Sequence, residues 1–163
     1  MERFFALVHA LLTNRVLVTG IGTWVLAQVI KTIIYVIVNK ELRLERLVGD
    51  GGMPSCHSAT VTSMAVTTGI ICGFDSPSFA IAAIMAVVVM HDAMGVRLET
   101  GKQAAFLNMV IDAFVEYRPK EIPLSEWQEK KFKEFVGHTP TQVVAGGILG
   151  LITALVVNLL IWA

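Results

Sequence analysis

Charge is what this sequence has least of. Only 16% of its 163 residues are Asp, Glu, Lys or Arg, against roughly a quarter in ordinary soluble domains, which argues against a water-soluble globule. Its thirteen basic and thirteen acidic residues cancel, so no nucleic acid is expected as a partner, because phosphate-backbone affinity needs clustered positive charge. Cysteine is scarce too. Cys56 and Cys72 cannot build a disulfide framework, and each borders or lies within an apolar stretch, where a thiol behaves as a small hydrophobe. The N-terminus lacks the joint pattern of charged start, short apolar core and small-residue cleavage site, so the first apolar segment is expected to act as the insertion signal.

Long apolar runs are what the sequence does have. Residues 16-38 carry a single charge, Lys31, and at ~1.5 Å per residue they reach across a ~30 Å hydrocarbon core. Residues 57-73 hold no Asp, Glu, Lys or Arg but many hydroxyls, which predicts a helix turned toward other helices, since a hydroxyl facing lipid finds no partner. A tight Phe74-Asp75-Ser76-Pro77 turn leads into 79-96, making those two an antiparallel hairpin. Residues 140-163 have no charge, and Gly146 and Gly150 permit close helix contact. Residues 1–12 are apolar but too short to span and are expected at the interface. The fold class is therefore all-α: a polytopic membrane helical bundle of about four transmembrane helices plus interfacial amphipathic helices, forming one integral membrane domain over 1-163.

A polar insert occupies about 98-139. Thr100 to Tyr117 places Phe106, Leu107, Val110, Ile111, Phe114 and Val115 on one helical face before Arg118-Pro119 ends it. Ser125 followed by Gln128 has the form of a capping box opening a second short helix, with Trp127, Phe132 and Phe135 on its apolar side. Both helices suit a membrane surface; a small soluble subdomain on the bundle is the alternative. Ten Lys and Arg lie in 39–56 and 97–139, while the opposite side carries only Arg3 and Arg15. The positive-inside rule then makes the ten-charge side cytoplasmic, in a plasma or inner membrane, with both termini outside.

On that topology the unusual polar residues share one membrane level. Lys31 lies toward the cytoplasmic end of the first span, Ser55 and His57 open the second, Asp92 and Arg97 close the third, and His138 opens the fourth. Ionisable residues in spans are costly and default to functional or paired roles. Each alone also has a plain reading: Lys31 snorkels, Arg97 anchors the helix end, Asp92 pairs with either.

The sharpest signal is Gly51-Gly52-Met53-Pro54-Ser55-Cys56-His57-Ser58-Ala59. Consecutive glycines allow close backbone approach, Pro54 and Ser55 are helix-start residues, and a helix N-terminus attracts anions. Gly137-His138-Thr139-Pro140-Thr141-Gln142 repeats the arrangement, a histidine just before a Pro-started helix. Two histidines at two helix starts suit an anion between them.

Met53 to Ala59 resembles the Pro-Ser-Gly-His motif of the type 2 phosphatidic acid phosphatases, relatives of the vanadium haloperoxidases. Gly137 to Gly150 is similar to the end of that superfamily's third motif, where Gly-x-His-x-Pro-x-Asp leads into a Gly-rich helix. Asp92-Ala93-x-Gly95-Val96-Arg97, with Gly101, Gln103 and Ala104, is similar to the signature of its divergent branch. The resemblance runs from about Gln28 to Gly150. It implies that His138 is the nucleophile forming a phosphohistidine, that His57 is the general acid, and that Arg97, Ser55 and Lys31 hold the phosphoryl oxygens. It implies hydrolysis of a lipid phosphate or diphosphate at the cytoplasmic face, with no cofactor and no metal, since Lys, Arg and helix N-termini supply the positive field. Membrane lipid is the expected surrounding, and a homo-oligomer stays open.

The sequence departs from the family pattern at three places. The first-motif arginine expected seven residues after Lys31 is Val38, so Arg43 or Arg46 would have to reach in. Forty residues separate Arg97 from His138 where the family has five, with Lys131 or Lys133 as substitute cations. The aspartate expected four residues after the nucleophile is Gln142, which can orient the imidazole without stabilising its charged form, and Asp92 is the other candidate for that orienting role. The rival reading is a non-catalytic lipid-phosphate binding or transport protein. A metal site from His57, His91, Asp92 and His138 matches no standard ligand spacing, and a Cys56 nucleophile is weaker still.

Overall fold

The computed structural model describes residues 1–41, 52–115, 131, 132, 134 and 137–162. The second insert helix expected from Ser125, with Trp127, and the candidate cations Arg43, Arg46 and Lys133 lie outside the described residues. Within them the chain forms α1 (Glu2–Leu12), α2 (Arg15–Asn39), α3 (Cys56–Cys72), α4 (Pro77–Met94), α5 (Val96–Val115) and α6 (Pro140–Val156), the last continued by a π turn over Val157–Ile161. No strand occurs among the described residues. The expected all-α membrane bundle is what the chain adopts.

Local chemistry sets the helix starts. Asn14 caps α2 by accepting from the Leu17 N–H (3.0 Å), and Ser76 caps α4 by accepting from the Phe79 N–H (3.1 Å) ahead of Pro77. Both side chains satisfy a backbone donor that the helix cannot. Arg15–Asn39, the nearly continuous Pro77–Phe114 and Pro140–Ile161 are long and apolar enough to cross a membrane. The 17-residue α3 is shorter and sits centrally, packed against α2, α4 and α6.

The interior is built from small residues. Ala27, Cys56 and Ala59 form its centre, and Ser58, Ser63 and Thr67 of α3 are fully enclosed, as expected for hydroxyls turned away from lipid. Gly146 and Gly150 let α6 lie directly on α3: a Cβ at either would strike the Ser55 or the Ala59 carbonyl oxygen. With no hydrophobic drive between helices in lipid, such close backbone packing is what holds them together. Farther along the same contact the Asn158 amide donates to Thr67 Oγ1 (3.0 Å), and at the α2 start the Arg15 guanidinium lies 5.1 Å over the Trp162 ring.

One boundary differs from the sequence expectation. The α5 helix starts at Val96, four residues before Thr100, because Gly95 (φ −96°, ψ −98°) breaks α4 for a single residue only, and the Thr100 hydroxyl donates back to the Val96 carbonyl (2.8 Å) instead of capping. The apolar stripe of α5 faces outward: Phe106 and Phe114 are exposed, whereas Gly101, Ala104 and Asn108 are buried. Where the surroundings are lipid, large apolar side chains belong outside and small or polar ones inside.

Candidate active site

Three chain segments build one cavity: the first turn of α3, the α4–α5 junction at Gly95, and the approach to α6. Its volume is about 170 Å³, and it is lined by His57, Val88, Val89, Asp92, Ala93, Arg97 and His138. The His57 and His138 rings stand 6.2 Å apart, centroid to centroid, at 62°. A phosphoryl group met on each side at a near-attack distance of ~3–3.5 Å spans a comparable gap.

Each ring is held by main-chain geometry. The α3 helix starts at Ser55, which is wholly buried; its hydroxyl accepts from the Ser58 N–H (3.3 Å) and the Ser58 hydroxyl (3.0 Å). The Ser55 N–H in turn donates to the Gln142 carbonyl (3.0 Å), so the starts of α3 and α6 are tied together and their positive dipole ends converge on the site. The 40-residue gap to His138 closes by direct backbone contact: the His138 N–H donates to the Ala93 carbonyl (3.0 Å), and a Cβ on Gly137 would overlap the backbone of Arg97 and Leu98. Glycine stands there because nothing larger fits.

Gln142 meets one nitrogen of the His138 ring. Its Oε1 accepts from the Thr139 N–H (3.1 Å), which settles the amide's orientation, since the NH₂ end cannot accept. The same Oε1 lies 3.2 Å from His138 Nδ1, an acceptor placed to suit the tautomer protonated at Nδ1, with the Nε2 lone pair left for chemistry. His138 is 3% exposed, and this amide is one of the contacts that hold its ring.

Asp92 does something else. Its carboxylate pairs with Arg97 Nε at 2.6 Å, across the Gly95 break, and aims the guanidinium along the cavity wall. Of the two candidates for orienting His138, Gln142 makes the contact. Lys31 and Ser55 are not among the residues that line this cavity. Buried Lys31 lines a second cavity of about 170 Å³ with Ile34, Tyr35, Val38, Asn39, Gly52 and Met53, its methylene stem against Gly52, while Ser55 serves as cap and cross-link. Lys131 pairs with Asp112 on α5 (2.9 Å) and does not line the histidine cavity. Cys56 Sγ lies 3.8 Å from His57 Nδ1 but is buried in the core. His91 is exposed, and among the described residues no three His, Cys, Asp or Glu gather as a metal cluster.

Sequence reasoning missed the Ala93 carbonyl, which carries no side-chain signal, and the steric role of Gly137, whose only trace is a glycine directly before a motif histidine.

A family profile described as the Divergent PAP2 family matches residues 12–153. The chain belongs to the divergent PAP2 family. It is 40% identical over 150 residues to "Uncharacterized membrane protein YuiD" of Bacillus subtilis (strain 168), an alignment covering 90% of this chain and 95% of that protein. No solved structure matches the chain. For a divergent PAP2 member, the match takes in both histidine segments, the Asp92–Arg97 junction and the whole insert.

Proposed function

We propose that this divergent PAP2 membrane protein hydrolyses a lipid phosphate or diphosphate through a phosphohistidine on His138, at the cytoplasmic face. The observation that carries the reading is the pair of imidazoles 6.2 Å apart over a cavity that Arg97 also lines. His138 Nε2 attacks phosphorus, the P–O bond to the lipid alcohol breaks, and His57 gives its proton to the departing oxygen. Water deprotonated by His57 then attacks the phosphohistidine, releasing phosphate and returning His138 to its neutral form. Arg97, aimed by Asp92, neutralises charge on the equatorial oxygens, and Lys31 adds a positive field from the neighbouring cavity. Val88 and Val89 in the lining, with Val88 55% exposed, offer an apolar side entrance for the lipid chain.

Gln142 in place of a carboxylate favours a second reading, a lipid-phosphate binder without turnover. Phosphate release by purified protein in detergent, across several lipid phosphates and with chelator present, separates the two. Turnover that survives chelation and disappears in His57→Ala supports the enzyme; saturable binding without release supports the binder.

A further inference from the structure

Asn108 is a buried amide in a helix whose other inward residues are small. It is 5% exposed, and its side chain grips one point of the returning chain. Nδ2 donates to the Phe132 carbonyl (2.9 Å) and to Glu134 Oε1 (2.8 Å), while Oδ1 accepts from the Phe132 N–H (2.8 Å). The amide thus pairs with both backbone groups of Phe132, as a neighbouring strand would, and uses three of its hydrogen-bonding positions.

The second anchor of the same return is Gly137, seated on the backbone of Arg97 and Leu98. From Leu98 to Asn108 the α5 helix rises ~15 Å at ~1.5 Å per residue. The chain from Phe132 to Gly137 reaches at most ~17 Å at ~3.3 Å per residue. Fixing Phe132 therefore limits how far away Gly137 can lie, and His138 is the residue immediately beyond.

We propose that Asn108 is a positioning residue for His138: by fixing Phe132 on α5 it holds the returning chain in register, so that the His138 ring meets Gln142 and faces His57. The inference rests on the phosphatase reading only where turnover is the readout. It explains how a chain with 40 residues between its arginine and its histidine keeps both at one cavity, and it gives Glu134 a role as the outer stop of the clasp.

The test uses full-length protein in detergent with ¹⁵N-labelled histidine. In wild type, His138 shows the Nδ1-protonated tautomer. In Asn108→Ala the signature averages over both tautomers, and kcat for phosphate release from a lipid phosphate falls ~10²-fold, as for a catalytic group displaced by about 1 Å, with KM little changed. Asn108→Asp sets a carboxylate against both the Phe132 carbonyl and Glu134 and lowers kcat likewise; adding Glu134→Gln supplies a donor to that carboxylate and recovers part of the rate and of the signature, the Phe132 carbonyl staying without its donor. A merely structural role predicts loss of folded protein without that rescue. An unchanged His138 tautomer in a folded Asn108→Ala variant overturns the proposal. Where that variant does not fold, failure of Glu134→Gln to rescue Asn108→Asp overturns it. If wild type shows no turnover on any phosphate ester, the phosphatase reading fails while the tautomer measurement still decides the clasp.

Discussion

One oxygen atom joins the start of a helix to the candidate nucleophile: Gln142 Oε1 lies 3.1 Å from the Thr139 N–H and 3.2 Å from His138 Nδ1. The capping role fixes the amide, and the amide sets an acceptor against Nδ1.

Gln142→Glu is therefore the informative change, because it preserves both contacts and adds the charge that stabilises imidazolium. Turnover should rise by at least about tenfold, within the ~10⁴ that separates a charged from a neutral partner in a comparable triad. Gln142→Ala should lower turnover and cost about 1 kcal/mol through the lost cap. Steady-state rates beside melting in detergent check both; a Glu variant slower than wild type would show that the neutral amide is the functional form.

Gly137→Ala places a methyl into the Arg97–Leu98 backbone. The expected cost is about 1–3 kcal/mol, as for overpacking elsewhere, with turnover reduced because His138 must move. Thermal unfolding and initial rates should change together, and a silent substitution would mean that the segment does not press against α5.

Asp92 and Arg97 form a half-exposed pair, so Asp92→Asn should cost at most about 1 kcal/mol of stability. Its effect belongs on substrate: a raised KM as Arg97 loses its aim, with Arg97→Ala lowering both affinity and kcat. Equal stability loss with unchanged KM would make the pair a helix-end anchor only.

Sidedness is checked by labelling engineered cysteines with an impermeant reagent in a Cys72→Ser background. Lys102→Cys, in the exposed part of α5, should be protected in intact cells and labelled after lysis, while Thr13→Cys at the end of α1 should label in intact cells. The reverse pattern would move the site to the outer leaflet.

The bundle was legible in the sequence because lipid imposes long uncharged runs, and the charge-poor stretches coincide with α2, α3, α4 and α6. The two histidine segments stood out by their glycines, prolines and caps. What the sequence did not show is which polar group meets which. Gln142 at the motif position and Asp92 as its substitute are both candidates for His138 in the sequence, but in the fold Asp92 pairs with Arg97 across the Gly95 break, and Lys31, expected at the histidines' membrane level, opens into another cavity. Asn108 carries little signal in the sequence because the large apolar side chains dominate the α5 pattern, whereas in lipid the opposite, small-residue face carries the contacts.

The most direct test of the account is to trap the intermediate. Purified protein is mixed with a lipid phosphate radiolabelled at phosphorus, quenched in alkaline denaturant within a single turnover, and digested to locate the label. The account predicts an acid-labile, alkali-stable phosphoryl group on His138, absent in His138→Ala and accumulating in His57→Ala given a substrate with a good leaving group. Phosphate release by wild type with no label on His138, or release that persists in His138→Ala, would contradict it.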